Sequence, residues 1–195
     1  MKQNKNTGDE VTKKTWEKVA SVKNIKVKKE DFIGLYEDKW FGKIEIFEKN
    51  NRKDIYSNVA PELGPWESIT HRKAVMLEVL RVLGGFESSW NWNAGVDTTN
   101  PNSNTPCTEE AGIFQCSGDS MAFDAQLENM LHQAAGDHSC ESFIKTTKSN
   151  HKFAIEYCAW LIRFTVNHHG PIKEKTINPW LRRDAVSEFM GFLAK

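Results

Sequence analysis

No stretch of this chain reaches the roughly 20 consecutive apolar residues that a membrane-spanning helix requires. The longest candidate, AVMLEVLRVLGGF at 74–86, is broken by Glu78 and Arg81, so no membrane span is expected. An excess of one charge is also missing. The 26 basic residues are balanced by 26 acidic ones, which disfavours nucleic acid as a partner, because neutralising phosphates needs a basic surplus. No apolar run of the kind that directs secretion lies near the N-terminus. Cysteine is scarce: four in 195 residues, at 107, 116, 140 and 158. No two of them are spaced as CxxC, which argues against a zinc knuckle, and no metal or cofactor is expected. Repeats and low-complexity tracts are absent.

What is present suits one domain with an attached arm. Apolar residues make up 39% of the chain, near the norm for globular proteins. Residues 1–30 are rich in lysine and read as a solvated basic arm, leaving 31–195 for the folded domain. In 31–60, FIGLY and WFGKIEIF read as short extended pieces split by Gly34 and Gly42. NVAPELGPWES, with two prolines and a glycine, reads as a linker or turn. The clearest helix spans 71–84, with Thr70 as N-cap and Gly84–Gly85 as its stop. It has almost no polar face, which places it at the centre of a domain. Residues 94–118 form a long polar loop, a feature that in compact domains is usually functional or disordered. Three more helices are expected over 121–134, 151–167 and 179–193, the last opening with Asn178–Pro179. The fold class is therefore mainly α: a central buried helix surrounded by helices, with a small extended element near the N-terminus.

Two bridges in three connectivities are open to four cysteines. Cys158 sits on an apolar helical stretch and reads as a buried small hydrophobe. Cys107 and Cys140 lie in loop-like surroundings and would pair in an oxidising compartment.

The chemistry concentrates at GGFESSWNWN, residues 84–93. Glu87 follows the most hydrophobic helix, and Trp90 and Trp92 follow it. A carboxyl held against apolar and indole surface loses hydration of its charged form, the condition that suits a proton donor. Indoles offer flat faces matching the C–H faces of sugar rings. Here the chain resembles a family. ESSW after a buried helix, then a loop closing with AGIFQCS, is similar to the lysozyme-like superfamily of peptidoglycan-cleaving enzymes, which includes goose-type lysozymes and lytic transglycosylases. Their pattern is a catalytic glutamate followed by serine at a helix end, then a Gly-Leu-Met-Gln segment. In this chain Glu87–Ser88 stands in the first place and Gly112–Ile113–Phe114–Gln115 in the second. The likeness covers roughly residues 70–135.

The resemblance implies an α+β lysozyme-like fold and a glycosidase that cuts the β-1,4 backbone of peptidoglycan, with Glu87 as catalytic acid. Gln115 would line the sugar cleft, with Ser88, Trp90, Trp92 and Phe114 as further substrate-binding residues. A second carboxylate is needed if water attacks with general-base help. Asp97, Glu109, Glu110 and Asp119 are the candidates, with Glu110 and Asp97 preferred. Separations of roughly 5–9.5 Å from Glu87 suit hydrolysis in one geometry or another. A single-acid transglycosylase would need no second carboxylate.

Two readings compete. One is a non-catalytic saccharide-binding or interaction domain. The other is a cell-wall peptidase with Cys116 as nucleophile and His168 or His169, in VNHHGPI, as base. The bland reading of the two histidines is capping of a helix that Gly170–Pro171 terminates. The expected partner is the peptidoglycan strand, in the periplasm or at the cell wall. Delivery would be by a secretion system, by a phage route or within a larger protein. A delivered enzyme of this kind implies an immunity or inhibitor protein in its producer.

Overall fold

A computed structural model describes residues 46–48, 54–66, 68–96 and 98–194. The basic arm over 1–30, FIGLY and all of WFGKIEIF but its last two residues, and Asp97 lie outside the described residues; Ile46 and Phe47, read as extended, form a turn. Seven α-helices are described: α1 (Ile55–Leu63), α2 (Ile69–Ser88), α3 (Ala125–Ala135), α4 (Cys140–Ser149), α5 (His151–Phe164), the short α6 (Gly170–Lys173) and α7 (Arg183–Leu193). Among the described residues the sheet is one antiparallel pair, β1 (Glu110–Ala111) with β2 (Cys116–Ser117), in the register Glu110 to Ser117 and Ala111 to Cys116. The protein is thus mainly helical, as expected.

Helix α2 is the axis of the core. Every residue from Ala74 to Gly84 is buried, so the helix must be wrapped on all sides. It lies chiefly against α7, with α5 and α6 on other faces. Ser68, not Thr70, caps it by accepting from the His71 N–H at 3.1 Å. The helix also runs four residues past its expected stop. The glycines at 84 and 85 do not end it; they allow close packing. A Cβ on Gly84 would meet Ile113 at 3.2 Å, and one on Gly85 would meet the Trp90 indole at 2.6 Å. The left-handed residue that ends the helix is Ser89, at φ 53°. Glu87 is therefore in the last helical turn, not in a following loop.

Other boundaries also move. NVAPELGPWES is not all linker, because its first half completes α1. Asp54 caps α1 through the Ser57 N–H at 3.2 Å, and Pro61 lies inside it. Helix α4 was not anticipated; Ser139 caps it by accepting from the Ser142 N–H. Its first residue, Cys140, forms a disulfide with Cys107, the pairing expected for an oxidising compartment. Gly170–Pro171 opens α6 rather than closing the preceding helix, which ends at Phe164. A proline in the first turn has its φ preset for helix entry.

Buried charges link these helices. Arg81 makes a bidentate pair with Glu78 at 2.6 and 2.7 Å, and Glu78 also accepts from the Arg182 N–H at the start of α7. Arg163 on α5 pairs with Asp54 and donates to the Glu48 carbonyl. Arg72 donates to the carbonyls of Phe47 and Glu48 and lies over the Tyr56 ring. The backbone of Phe47 and Glu48 is thereby held next to the core in which Ile46 and Phe47 are buried.

Candidate functional site

The site lies where the C-terminal end of α2 meets the turn between β1 and β2. That turn is Gly112–Gln115. Gly112 at φ 71° and Gln115 at φ 47° take left-handed conformations. The Gln115 backbone N–H and its side-chain amide both donate to the Gly112 carbonyl. Ser88 Oγ, one residue after Glu87, donates to the Ile113 carbonyl at 2.8 Å and accepts from the Asn91 N–H at 3.0 Å. The two segments that carry the resemblance are therefore hydrogen-bonded to each other across 25 residues.

Among the described residues the Glu87 carboxyl is paired with a histidine, not with a lysine or arginine. Its Oε1 lies 3.4 Å from His169 Nδ1, and its side chain is 17% exposed against 2% for His169. His169 is the N-cap residue of α6, and its carbonyl accepts from Ile172 and Lys173. Its other ring nitrogen, Nε2, faces two thiols: Cys116 Sγ on β2 at 3.8 Å and Cys158 Sγ on α5 at 3.7 Å. Both cysteines are free and buried. Donor atoms of Cys116, His168 and His169 lie within 4.8 Å of one another. His168 meets His169 edge to face at 4.8 Å and the exposed Phe123 at 6.0 Å.

The packing shifts these groups in opposite directions. The hydrogen bond from Cys158 draws the Cys116 thiol below its ordinary range, against burial, with His169 adding to the effect. Cys158 goes up, first by burial and then by its bond to Cys116. Burial works against the His169 imidazolium. Hydrogen bonds to Cys116 and Glu87, with their charges, outweigh it and lift His169 to about 9. Burial, reinforced by the His169 charge, pulls His168 down to about 3.

The other expected site residues divide. Trp90 is half-buried; its indole lies over Gly85 and donates to the Arg81 carbonyl at 2.8 Å. Trp92 is not a sugar platform. It is fully buried and stacked on His151 at 4.0 Å, because the chain turns inward after Ser89 and Trp90, both at positive φ. Phe114 is likewise core, buried against Gly84. Glu110 is half-buried, and its two oxygens accept from Asn100 and Ser103, so it brackets the polar loop. Asp119 accepts from the Ser117 hydroxyl at 2.5 Å, and the Glu109 N–H donates to Thr105. What sequence reasoning missed is the link from Glu87 through His169 to Cys158. The paired histidines drew notice, but no local spacing announces contacts made across 82 and 11 residues. Comparison with protein-family models, curated proteins and solved structures finds no match to this chain.

Proposed function

We propose that the protein cleaves the β-1,4-linked glycan backbone of peptidoglycan, with Glu87 as the general acid. The observation that carries this reading is the Ser88–Ile113 hydrogen bond. It joins the Glu87 helix end to the Gly112–Gln115 turn, the two segments whose sequence resembles the lysozyme-like superfamily. Glu87 has the partial burial such an acid needs. It is enclosed enough for water exclusion to strengthen its interactions, yet still open at its outer edge. In the proposed step Glu87 gives its proton to the leaving glycosidic oxygen as the bond to the sugar breaks. His169 holds the carboxyl from behind. Water then attacks in a hydrolase, or the sugar's own hydroxyl in a transglycosylase. Exposed Phe86 and Phe123 and the half-buried Trp90 supply apolar surface near the site. A protein of this activity acts on wall material, and delivered into rival cells it would require an inhibitor in its producer.

The thiol-peptidase reading has one observation in its favour: Cys116, His169 and Glu87 stand in the order nucleophile, base and orienting carboxylate. Accessibility decides against it. Substrate would meet Glu87, 17% exposed, first, because His169 and Cys116 are both buried. A nucleophile must touch the bond it breaks, and this thiol is closed off from solvent.

The test is clearing of purified cell walls with mass analysis of the fragments. The expected result is glycan fragments from the native protein and a loss of at least about 100-fold in rate for Glu87→Gln, in the range set by a lost general acid. Reducing ends indicate a hydrolase; ends lighter by one water indicate a transglycosylase. Undiminished clearing by Glu87→Gln, cleavage confined to peptide bonds, or binding without any clearing each overturns the proposal.

A further inference from the structure

Behind Glu87 the fold gathers soft metal-ligating atoms from three separate parts of the chain: Cys116 from β2, Cys158 from α5, and His168 and His169 from the segment before α6. Two of the spacings are those of ligands around one ion. Tetrahedral zinc, with bonds of about 2.3 Å to sulfur and 2.0–2.1 Å to nitrogen, sets neighbouring sulfur and nitrogen ligands roughly 3.6 Å apart. The two sulfur-to-Nε2 distances here are 3.8 and 3.7 Å. His168 adds a donor beside Cys116 and His169, the three atoms lying within 4.8 Å of one another. The outer nitrogen of His169 faces a carboxylate at 3.4 Å. A metal-ligating imidazole usually has such a partner, which fixes its tautomer and orientation. Thiolate and imidazole ligands select zinc and similar soft ions over calcium or magnesium.

We propose that Cys116, Cys158 and His169, with His168 as the fourth ligand, bind one zinc-class divalent cation, and that Glu87 is the carboxylate partner of His169. Binding leaves both sulfurs as thiolates and His169 neutral, and the protons these groups carried go to solvent. Dication and two thiolates sum to zero, so the buried site carries no net charge. The bound His169 is neutral and presents Nδ1–H to Glu87. In its bearing on Glu87 the inference rests on the glycosidase reading; the cation site itself does not.

The experiment uses the full chain, purified with thiols reduced, stripped with a chelator and titrated with cobalt(II) alone. The expected result is a thiolate-to-cobalt charge-transfer band with the visible bands of tetrahedral cobalt, saturating at one ion per chain and abolished by added zinc. Cys158→Ala is expected to weaken binding at least about tenfold and to reduce the charge-transfer intensity, since one of two thiolates is gone. Glu87→Gln is expected to keep the one-to-one stoichiometry while losing wall clearing, so the two readings fail separately. No charge-transfer band with excess cobalt and two titratable thiols present overturns the site. So does a Cys116–Cys158 disulfide found in place of the thiols, or a band that survives in the Cys116→Ala/Cys158→Ala variant. The titration of the native chain decides the matter even if a variant does not fold.

Discussion

Ser88 shows how one hydroxyl assembles a site. It sits one residue after Glu87, donates to the Ile113 carbonyl and accepts from the Asn91 N–H, satisfying two backbone groups that α2 and the β1–β2 turn would otherwise leave half-buried. Ser88→Ala strips both of that partner, at a cost of about 1–3 kcal/mol. It also lets the turn drift from Glu87, and a misplacement of about 1 Å at a catalytic centre can cost on the order of 100-fold in rate. The expected result is a lowered urea midpoint and a clearing rate reduced at least about tenfold with Glu87 intact. Native clearing by a destabilised Ser88→Ala would show that the turn is no part of the working site. At this scale the sequence was legible in naming the two segments that meet through the Ser88–Ile113 hydrogen bond. Glu87, Ser88 and the Gly112–Gln115 segment announce themselves by order and neighbours. Trp92 and Phe114 did not reveal that they are core, because an aromatic near a site has the same one-dimensional signature whether it faces a ligand or a neighbouring helix. Glu87's actual partner, His169, is 82 residues away and became visible only once α6 was placed.

The elements repeat the lesson at helix ends. Gly84–Gly85 reads as a stop signal because glycine readily takes the left-handed cap conformation. Here the pair is kept for the absence of a Cβ, since Ile113 and the Trp90 indole occupy the space a side chain would need. A prediction separates the two roles. If Gly85 were an ordinary helical glycine, Gly85→Ala would stabilise by up to about 1 kcal/mol through helix propensity. With an indole atom 2.6 Å from the added Cβ, overpacking costs about 1–3 kcal/mol and threatens the Trp90 hydrogen bond to the Arg81 carbonyl. The expected outcome is net destabilisation by about 1–2 kcal/mol in denaturant unfolding, with a change in tryptophan fluorescence. A Gly85→Ala protein more stable than the native one would refute this packing. The same competition explains the other shifted boundaries. Pro61 and Gly64 suggested a break through 58–68, yet the Asp54 cap and the burial of Ile55, Tyr56, Val59 and Leu63 sustain α1. Helix α4 has a polar sequence, and what holds it is its buried Phe143 and the Cys107–Cys140 bridge at its first residue. Neither is a periodic signal.

For the whole molecule, the buried charges decide how the helices meet around the site. The sequence shows Glu78 and Arg81 only as interruptions of an apolar run, but the fold needs them as a pair. Glu78 is wholly buried, Arg81 nearly so, and together they bridge α2 to the start of α7 through the Arg182 N–H. The Arg81 carbonyl meanwhile receives the Trp90 indole N–H, so the pair lies under the wall of the site. Breaking a buried pair by removing one partner costs about 3–5 kcal/mol, because the remaining charge is left in a low-dielectric interior, whereas replacing both by apolar groups of similar volume is often nearly neutral. Arg81→Met and Glu78→Leu are each expected to lose about 3–5 kcal/mol. The double variant is expected to lose clearly less than their sum, retaining some deficit for the acceptor that the Arg182 N–H no longer has. Urea unfolding of the four proteins measures the coupling directly. Strictly additive losses would mean that the two side chains act independently, and that α2 is fixed to α7 by apolar packing alone. A strong coupling would place the support for the Glu87 helix end in a charge pair that no pattern of hydrophobicity could have revealed.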